Sequence, residues 1–388
     1  MTFMPAPGSF TGEDTIEISS HGAPIVVRRI VDLTLSFGAR LAEPGEFSLR
    51  ALANGKLDLS QAEAIRDLIN ARTDVAARQA VRQLRGELSS TLLPLKNKLV
   101  AAIVRLESAV EFVEDDLPSL QRNELRGDLE ETVLELQKLA ATFQAGHWLR
   151  DGLRVIIAGR PNVGKSSLFN GLLRRERAIV TGIPGTTRDT LSETVTIRGI
   201  PVSITDTAGV RADPDEIERM GIDRTHQAIA DAEVVLFVID GTEELTKDDL
   251  LLFSRIRDAR HLLVVNKRDL PGFKLRDEYA ELGSMKGIAI SALHGNGLDD
   301  LNRAITDELG VSNFDTPGLL VTDARHYDLL SRTCAEIEAA IKLLENEAGE
   351  ELILVGLHNA LTLLGAITGE TTTNDILSEI FATFCIGK

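Results

Sequence analysis

The chain is short of aromatic residues, of cysteine and of positive charge, and each shortage excludes something. Only 4% of its 388 residues are aromatic, so its cores must be built from aliphatic side chains. The two cysteines, Cys334 and Cys385, have no metal-ligand spacing. They leave no room for a disulfide framework or a zinc site and suit a reducing compartment. The formal net charge of −17 opposes broad binding to a phosphate backbone. A nucleic-acid substrate would therefore be held by a partner or a local patch. No run approaches the roughly 20 apolar residues that span a bilayer. The opening MTFMPAPGSF lacks a basic region followed by an apolar core, so no secretory signal is expected. These limits and the length imply a cytoplasmic protein of two or three domains, not associated with a membrane.

What is present centres on residues 154–167, RVIIAGRPNVGKSS. An apolar strand over 155–158 runs into Gly159-x-x-x-x-Gly164-Lys165-Ser166, and a helix is expected from Lys165. Glycines let such a loop curl until its N–H groups face phosphate oxygens, from Asn162 and Val163 through Ser167. Lys165 supplies a point charge for the β- and γ-phosphates, and the Ser166 hydroxyl is a ligand for Mg²⁺. Downstream, Thr181-Gly182-Ile183-Pro184-Gly185-Thr186-Thr187 forms a polar loop in which a threonine can reach Mg²⁺ and sense the γ-phosphate. The next strand, 202–205, ends in Asp206-Thr207-Ala208-Gly209, with a carboxylate for the Mg²⁺ shell and a glycine for the γ-phosphate. Continuous apolar runs at 234–239 and 262–265 fit a parallel sheet covered on both faces.

The second of those runs meets Asn266-Lys267-Arg268-Asp269, which selects the base. A carboxylate accepts two parallel hydrogen bonds from the N1–H and amino group of guanine, and adenine offers no such pair. Asp269 therefore argues for GTP over ATP. Ser291-Ala292-Leu293 ends a further strand and resembles the segment that packs over guanine in GTPases. The position after Asp-x-x-Gly, where Ras-like switches carry a water-orienting glutamine, is Val210. Either hydrolysis is very slow or another group must orient water, and Asp213, Asp215, Glu216 and Glu218 lie in the acidic stretch that follows. Asn162 could coordinate a monovalent cation beside the phosphates, or be an ordinary turn residue.

The flanks read differently. Residues 1–56 are mixed α/β, with a half-buried strand over 15–19 and a helix striped by Ile30, Leu33 and Phe37. From Leu57 the chain turns helical, with Ser60-Gln61-Ala62-Glu63 as a capping box. Leu95, Leu99, Ala102, Ile103 and Leu106 stripe one helix, and Leu125, Leu129, Val133, Leu136 and Phe143 another. Helical periodicity resumes at Leu330, Cys334, Ile337, Ile341 and Leu344, making Cys334 a small core residue. A final helix carries Leu377, Ile380, Phe381 and Phe384. Stripes on both sides of a complete nucleotide domain imply one discontinuous helical domain with that domain inserted.

With these pieces in place the chain resembles the tRNA-modification GTPase family MnmE, also called TrmE. The resemblance runs through FTGED at 10–14, PGEFS at 44–48, NGKLDL at 54–59, QAEAI at 61–65, the nucleotide motifs and the ending FCIGK. It implies an α/β P-loop GTPase domain inserted into a discontinuous α-helical domain, preceded by a partial α+β folate-binding-like domain. The corresponding boundaries are 1–56, 57–152, 153–310 and 311–388. The activity implied is potassium-stimulated GTP hydrolysis. With a flavin-dependent partner of the MnmG (GidA) type, it serves addition of an aminomethyl or carboxymethylaminomethyl group at C5 of the wobble uridine of tRNA.

By the same resemblance Asn162, Thr181, Ile183 and Thr186 hold K⁺, Ser166 and Thr187 hold Mg²⁺, and Glu218 positions the attacking water. Glu17, Lys56 and Lys388 match positions that bind a tetrahydrofolate derivative, and Cys385 matches a family cysteine of open role. The sequence departs from the family at its start, because members carry a further stretch ahead of FTGED. An incomplete folate pocket, and doubt over the homodimer built through that domain, are therefore expected. Two rivals stay open on the residues: a GTP switch in ribosome assembly, and a chain that hydrolyses GTP without modifying tRNA. The first usually appends a nucleic-acid-binding module, and neither a basic patch nor a Gly-x-x-Gly loop is present.

Overall fold

The structure, a computed structural model, describes residues 1–111, 119–175, 192–206, 232–282, 287–309, 318–372, 377 and 380–384. In chain order its elements begin with β1 (Thr2–Met4), β2 (Thr15–Glu17), α1 (Pro24–Ser36), α2 (Glu46–Ala53), α3 (Leu59–Asn70) and α4 (Asp74–Leu84). There follow α5 (Glu87–Glu111), α6 (Ser119–Ala141), α7 (Phe143–Asp151), β3 (Leu153–Ala158), α8 (Lys165–Arg175), β4 (Ser192–Ile197), β5 (Ile200–Asp206) and β6 (Val234–Asp240). The chain continues with α9 (Lys247–Ile256), β7 (His261–Asn266), β8 (Ile288–Ala289), α10 (Leu298–Glu308), α11 (Ala324–Glu345) and α12 (Glu350–Thr368). Two compact units result. The first comprises residues 1–71, 77–144 and 319–388, and the second residues 72–76 and 145–318.

The first unit is organised by four helices drawn from both sides of the second. Ion pairs along their edges fix the order: Lys98–Glu131 and Arg105–Asp128 join α5 to α6, and Arg126–Glu345 joins α6 to α11. Contacts of His358 with Glu107 and of Lys96 with Glu370 tie α12 and the turn after it to α5. In each pairing the residue numbers run in opposite directions, so neighbours are antiparallel around the ring. The interior is aliphatic, with Leu99, Leu106, Leu125, Leu129, Leu136, Leu330, Ile337, Ile353 and Leu357 at 4% exposure or less. The stripes expected on either side of the nucleotide domain are thus each other's partners. The helix expected to reach Phe143 instead stops at Ala141, and Phe143 opens α7 while its ring stacks on Tyr327 at 4.5 Å.

Three expectations are corrected here. The cap of α3 is Asp58, which accepts from the Gln61 amide while Gln61 Oε1 accepts from the Asp58 amide. The box therefore starts two residues before Ser60, whose hydroxyl is spent on Asp58. Helix α12 has 19 residues with a window of mean hydropathy 1.5, so one run does approach the length of a membrane span. Its buried face, Ile353, Leu357, Ala360, Leu364 and Ile367, closes the bundle. Finally, the strand over 15–19 and the stripe of α1 are not buried. Ile16 is 59% exposed, Leu33 58% and Phe37 84%. Among the described residues β2 pairs only with β1, and α1 buries none of its residues.

The second unit holds a six-stranded sheet in the order β4-β5-β3-β6-β7-β8. β3, β5, β6, β7 and β8 run parallel, with β4 antiparallel at one edge. All seven residues of β6 are buried, as a strand covered on both faces requires. Registers place the carboxyl ends together: Ile157 beside Asp206, Ala158 beside Phe237, and Asp240 beside Asn266. The central β3 has neighbours reached by opposite crossovers, the position where such sheets open a crevice for ligands.

Candidate nucleotide site

The loop that leaves β3 is shaped by what lies under it. A side chain at Gly159 would come within 2.4 Å of the Val238 carbonyl oxygen. At Gly164, φ is +100°, and a Cβ would meet Asn266 Nδ2 at 2.2 Å. Only glycine tolerates both the conformation and the approach. Val163 is buried beneath the loop, whereas Asn162 is exposed with φ +64°. Lys165 is 8% exposed and its Nζ donates to the Gly159 and Arg160 carbonyls at 2.7 and 2.8 Å. Ser166 and Ser167 stand exposed on the first turn of α8, whose unsatisfied N–H groups favour an anion.

Asn266 connects this loop to the base loop. Its Nδ2 donates to the Val163 carbonyl at 2.8 Å, and its Oδ1 accepts from the Ala292 amide at 2.9 Å. Asn266 is 3% exposed, so both bonds are shielded from water and hold three segments in fixed register. The Arg268 amide donates to the Ile290 carbonyl at 3.0 Å, bracing the same turn. The hydrogen bond from Ser291 holds the Asp269 carboxyl below the usual carboxylate range, with a smaller contribution from His294, whose Nε2 is 3.8 Å away. An ionised Asp269 is what two parallel N–H donors require. Ser291 and Ala292 are buried and Leu293 is 76% exposed. Between them and Ser167 lies an open cavity of about 420 Å³, walled also by Asn170, Arg174 and His294.

The expected site residues therefore divide. Asn162, Val163, Gly164, Lys165, Ser166, Ser167, Asn266, Lys267, Arg268, Asp269, Ser291, Ala292 and Leu293 gather at the carboxyl edge of the sheet. The backbone of Asp206 reaches the same edge at the end of β5. Thr181, Gly182, Ile183, Pro184, Gly185, Thr186, Thr187, Thr207, Ala208, Gly209, Val210 and Glu218 lie outside the described residues, as do Cys385 and Lys388. Glu17 and Lys56 are exposed in the first unit, and Lys56 Nζ donates to the Pro7 carbonyl at 2.7 Å. Two residues at the nucleotide edge escaped the sequence reading. Asp240 ends β6 and pairs with Lys267, and Arg160 leaves the phosphate loop for Glu243 and Asp249.

Comparison with known proteins now bears on this arrangement. Residues 59–385 match the model of the MnmE helical domain, and residues 1–56 that of the GTP-binding protein TrmE N-terminus. The tRNA modification GTPase MnmE of Aquifex aeolicus (strain VF5) is 41% identical over 389 residues, covering 100% of this chain and 86% of that protein. The chain belongs to the tRNA modification GTPase MnmE family. The MnmE of Koribacter versatilis (strain Ellin345) is 44% identical over 390 residues, covering 100% and 85%. That of Geobacter sulfurreducens is 43% identical over 388 residues, covering 99% and 84%. The MnmE helical model extends across both halves of the bundle and the sheet between them, in keeping with a nucleotide domain inserted in a helical one.

Proposed function

We propose that this chain hydrolyses GTP in the service of tRNA modification. The addition is at C5 of the wobble uridine, an aminomethyl or carboxymethylaminomethyl group, made with a flavin-dependent MnmG-type partner. The observation that carries the GTP reading is the pair of side-chain hydrogen bonds of Asn266, which locks the phosphate loop to the loop bearing Asp269. Family membership supports the tRNA reading, since the relatives are named as tRNA modification GTPases. The work is proposed to take place in the cytoplasm, with tRNA held mostly through the complex and the chain acting as a homodimer.

In this reading Lys165 turns from its own carbonyls to the β- and γ-phosphates, and loop amides from Asn162 to Ser167 bind the rest. Asp269 accepts the guanine N1–H and amino protons, which excludes adenine. Ser166, exposed on the first turn of α8, fits a Mg²⁺ ligand together with Thr187, and Asp206 orders its shell. Asn162, exposed and bearing an amide oxygen, fits a K⁺ ligand together with Thr181, Ile183 and Thr186. Bound there, the cations supply fixed positive charge where negative charge accumulates as the γ-phosphoryl leaves. Glu218 orients the attacking water, a task beyond Val210. Glu17, Lys56 and Lys388 are proposed to face a tetrahydrofolate derivative.

Calorimetry with GDP and ADP tests the base assignment, and equal affinity for the two would refute it. Hydrolysis should run faster in KCl than in NaCl, and equal rates would remove Asn162 from the ion site. Glu218→Ala should bind nucleotide as the unaltered chain does while turnover falls by about 10²-fold or more. An unchanged rate would return the water-orienting role to another group.

A further inference from the structure

Lys267 sits in a conformation that lysine rarely adopts, with φ +68°, between Asn266 and the base-selecting Asp269. Its Nζ lies 2.5 Å from Asp240 Oδ2 at the end of the neighbouring strand. Asp240 is almost fully buried, its side chain 4% exposed against 29% for that of Lys267. The other carboxylate oxygen, Oδ1, accepts from the Thr242 amide at 2.9 Å and its hydroxyl at 2.7 Å. Burial pushes this carboxyl upward, but the bonds from Lys267 and Thr242 prevail and leave it below the usual range. Asp240 is thus an ionised, oriented anchor with one oxygen aimed at the lysine. With backbone and ammonium both fixed, the aliphatic stem of Lys267 must span the sheet edge from the end of β7 to the end of β6.

We infer that Asp240 is a positioning residue for guanine-nucleotide binding: by holding the Lys267 ammonium it sets the lysine stem as a flat apolar wall for the base. The same loop reaches the phosphate side. Arg160 pairs with Glu243 and lies 3.3 Å from Asp249, itself 2% exposed and locked in the capping box of α9. The connection from β6 to α9 therefore holds a cation from each half of the nucleotide site. This inference rests on the guanine reading above and extends it to a residue that contacts no nucleotide atom.

The test is Asp240→Asn, which keeps the shape and the oxygen facing Thr242 while removing the charge that holds Lys267. GDP and GTP affinities should both fall about tenfold, and KM should rise with kcat changed less than about twofold. A double-mutant cycle with Lys267→Met supplies a readout that mere damage to the fold would not produce. Once Lys267 is Met, Asp240→Asn should cost no further affinity. Unaltered affinity in Asp240→Asn, or the same tenfold loss in the Lys267→Met background, would overturn the inference. Failure of the unaltered chain to bind GDP would instead overturn the guanine reading itself. The nucleotide-free thermal midpoint of Asp240→Asn, measured alongside, should stay within a few degrees; collapse of the fold without nucleotide would count against a positioning role.

Discussion

Each compact unit buries a carboxylate that holds cations, and the two differ in what they hold. Glu63 on α3 is 2% exposed and accepts from Arg325 Nε at 3.1 Å and Nη2 at 2.8 Å, with His326 Nε2 2.8 Å away. Arg325 also donates to the Ala366 and Ile367 carbonyls, so one guanidinium joins α3, α11 and the last turn of α12. Asp240, by contrast, holds one lysine whose side chain still reaches solvent. In both, burial pushes the carboxyl upward and the hydrogen-bonded and charged partners prevail, leaving each below its ordinary range. The contrast teaches that a buried ion pair is diagnostic only through its far end. One whose partner is spent on the helix carbonyls around it acts as a structural tie, whereas one whose partner stands at a cleft can orient a binding surface.

The sharpest way to break this contrast is Glu63→Ala. It leaves the half-buried Arg325 and the buried His326 without their carboxylate and should cost the first unit about 3–5 kcal/mol in chemical denaturation. GDP affinity should not change, and a drop would mean the two carboxylates do not have separate roles. Acid sharpens the same point. The folded Glu63 carboxyl lies below its ordinary 4.5, so its stabilisation is present above that pH and is lost as pH falls through the folded value. The stability gap between the unaltered chain and Glu63→Gln should therefore close in that acid window; a gap undiminished at pH 3 would deny the charge its part.

Smaller effects come from two capping boxes among the described residues, that of α3 in the first unit and that of α9 in the second. Asp58→Ala and Thr246→Ala should each cost about 1 kcal/mol. Only the second should also raise the KM for GTP, because Thr246 holds Asp249 beside Arg160. The smallest effect is at Cys334, a buried titratable group with no cation to oppose burial. Burial and the nearby Glu338 push its thiol up to about 11. Iodoacetamide at pH 8 should label it at least about 100-fold more slowly in the folded than in the unfolded chain. Cys334→Ala should cost only about 1 kcal/mol.

Much of this was legible in the sequence. The strands β3, β5, β6 and β7 are short apolar runs bounded by polar motifs, found where their runs predict, whereas the alternating β4 carries no such run and β8 is shorter than its run. The bundle helices were legible because leucines spaced three and four apart mark one face. The cap lies at Asp58, two residues before Ser60, although Ser60 and Glu63 satisfy the same local pattern; Arg325 and His326, distant in sequence, draw Glu63 inward. The apolar residues of α1 announce a buried face that the described residues do not cover. Asp240 could have been found. A carboxylate at the carboxyl end of a strand is placed to serve the ligand, and Asp240, directly after the run 234–239, has the same position as Asp206. Arg160 gave no such signal, since its position in the phosphate loop accepts many side chains.

The sequence alone determined the nucleotide motifs, their order and the periodicities of the helices flanking them. Those features are local, because a loop that curls around phosphate or a stripe along a helix needs only nearby residues. The tertiary structure decided which carboxylate meets which cation, which stripes close on one another, and that α12 spends its apolar face inside a bundle. Such choices depend on segments from tens to hundreds of residues apart arriving at one place, where excluding water makes a pairing strong and an unmatched charge costly.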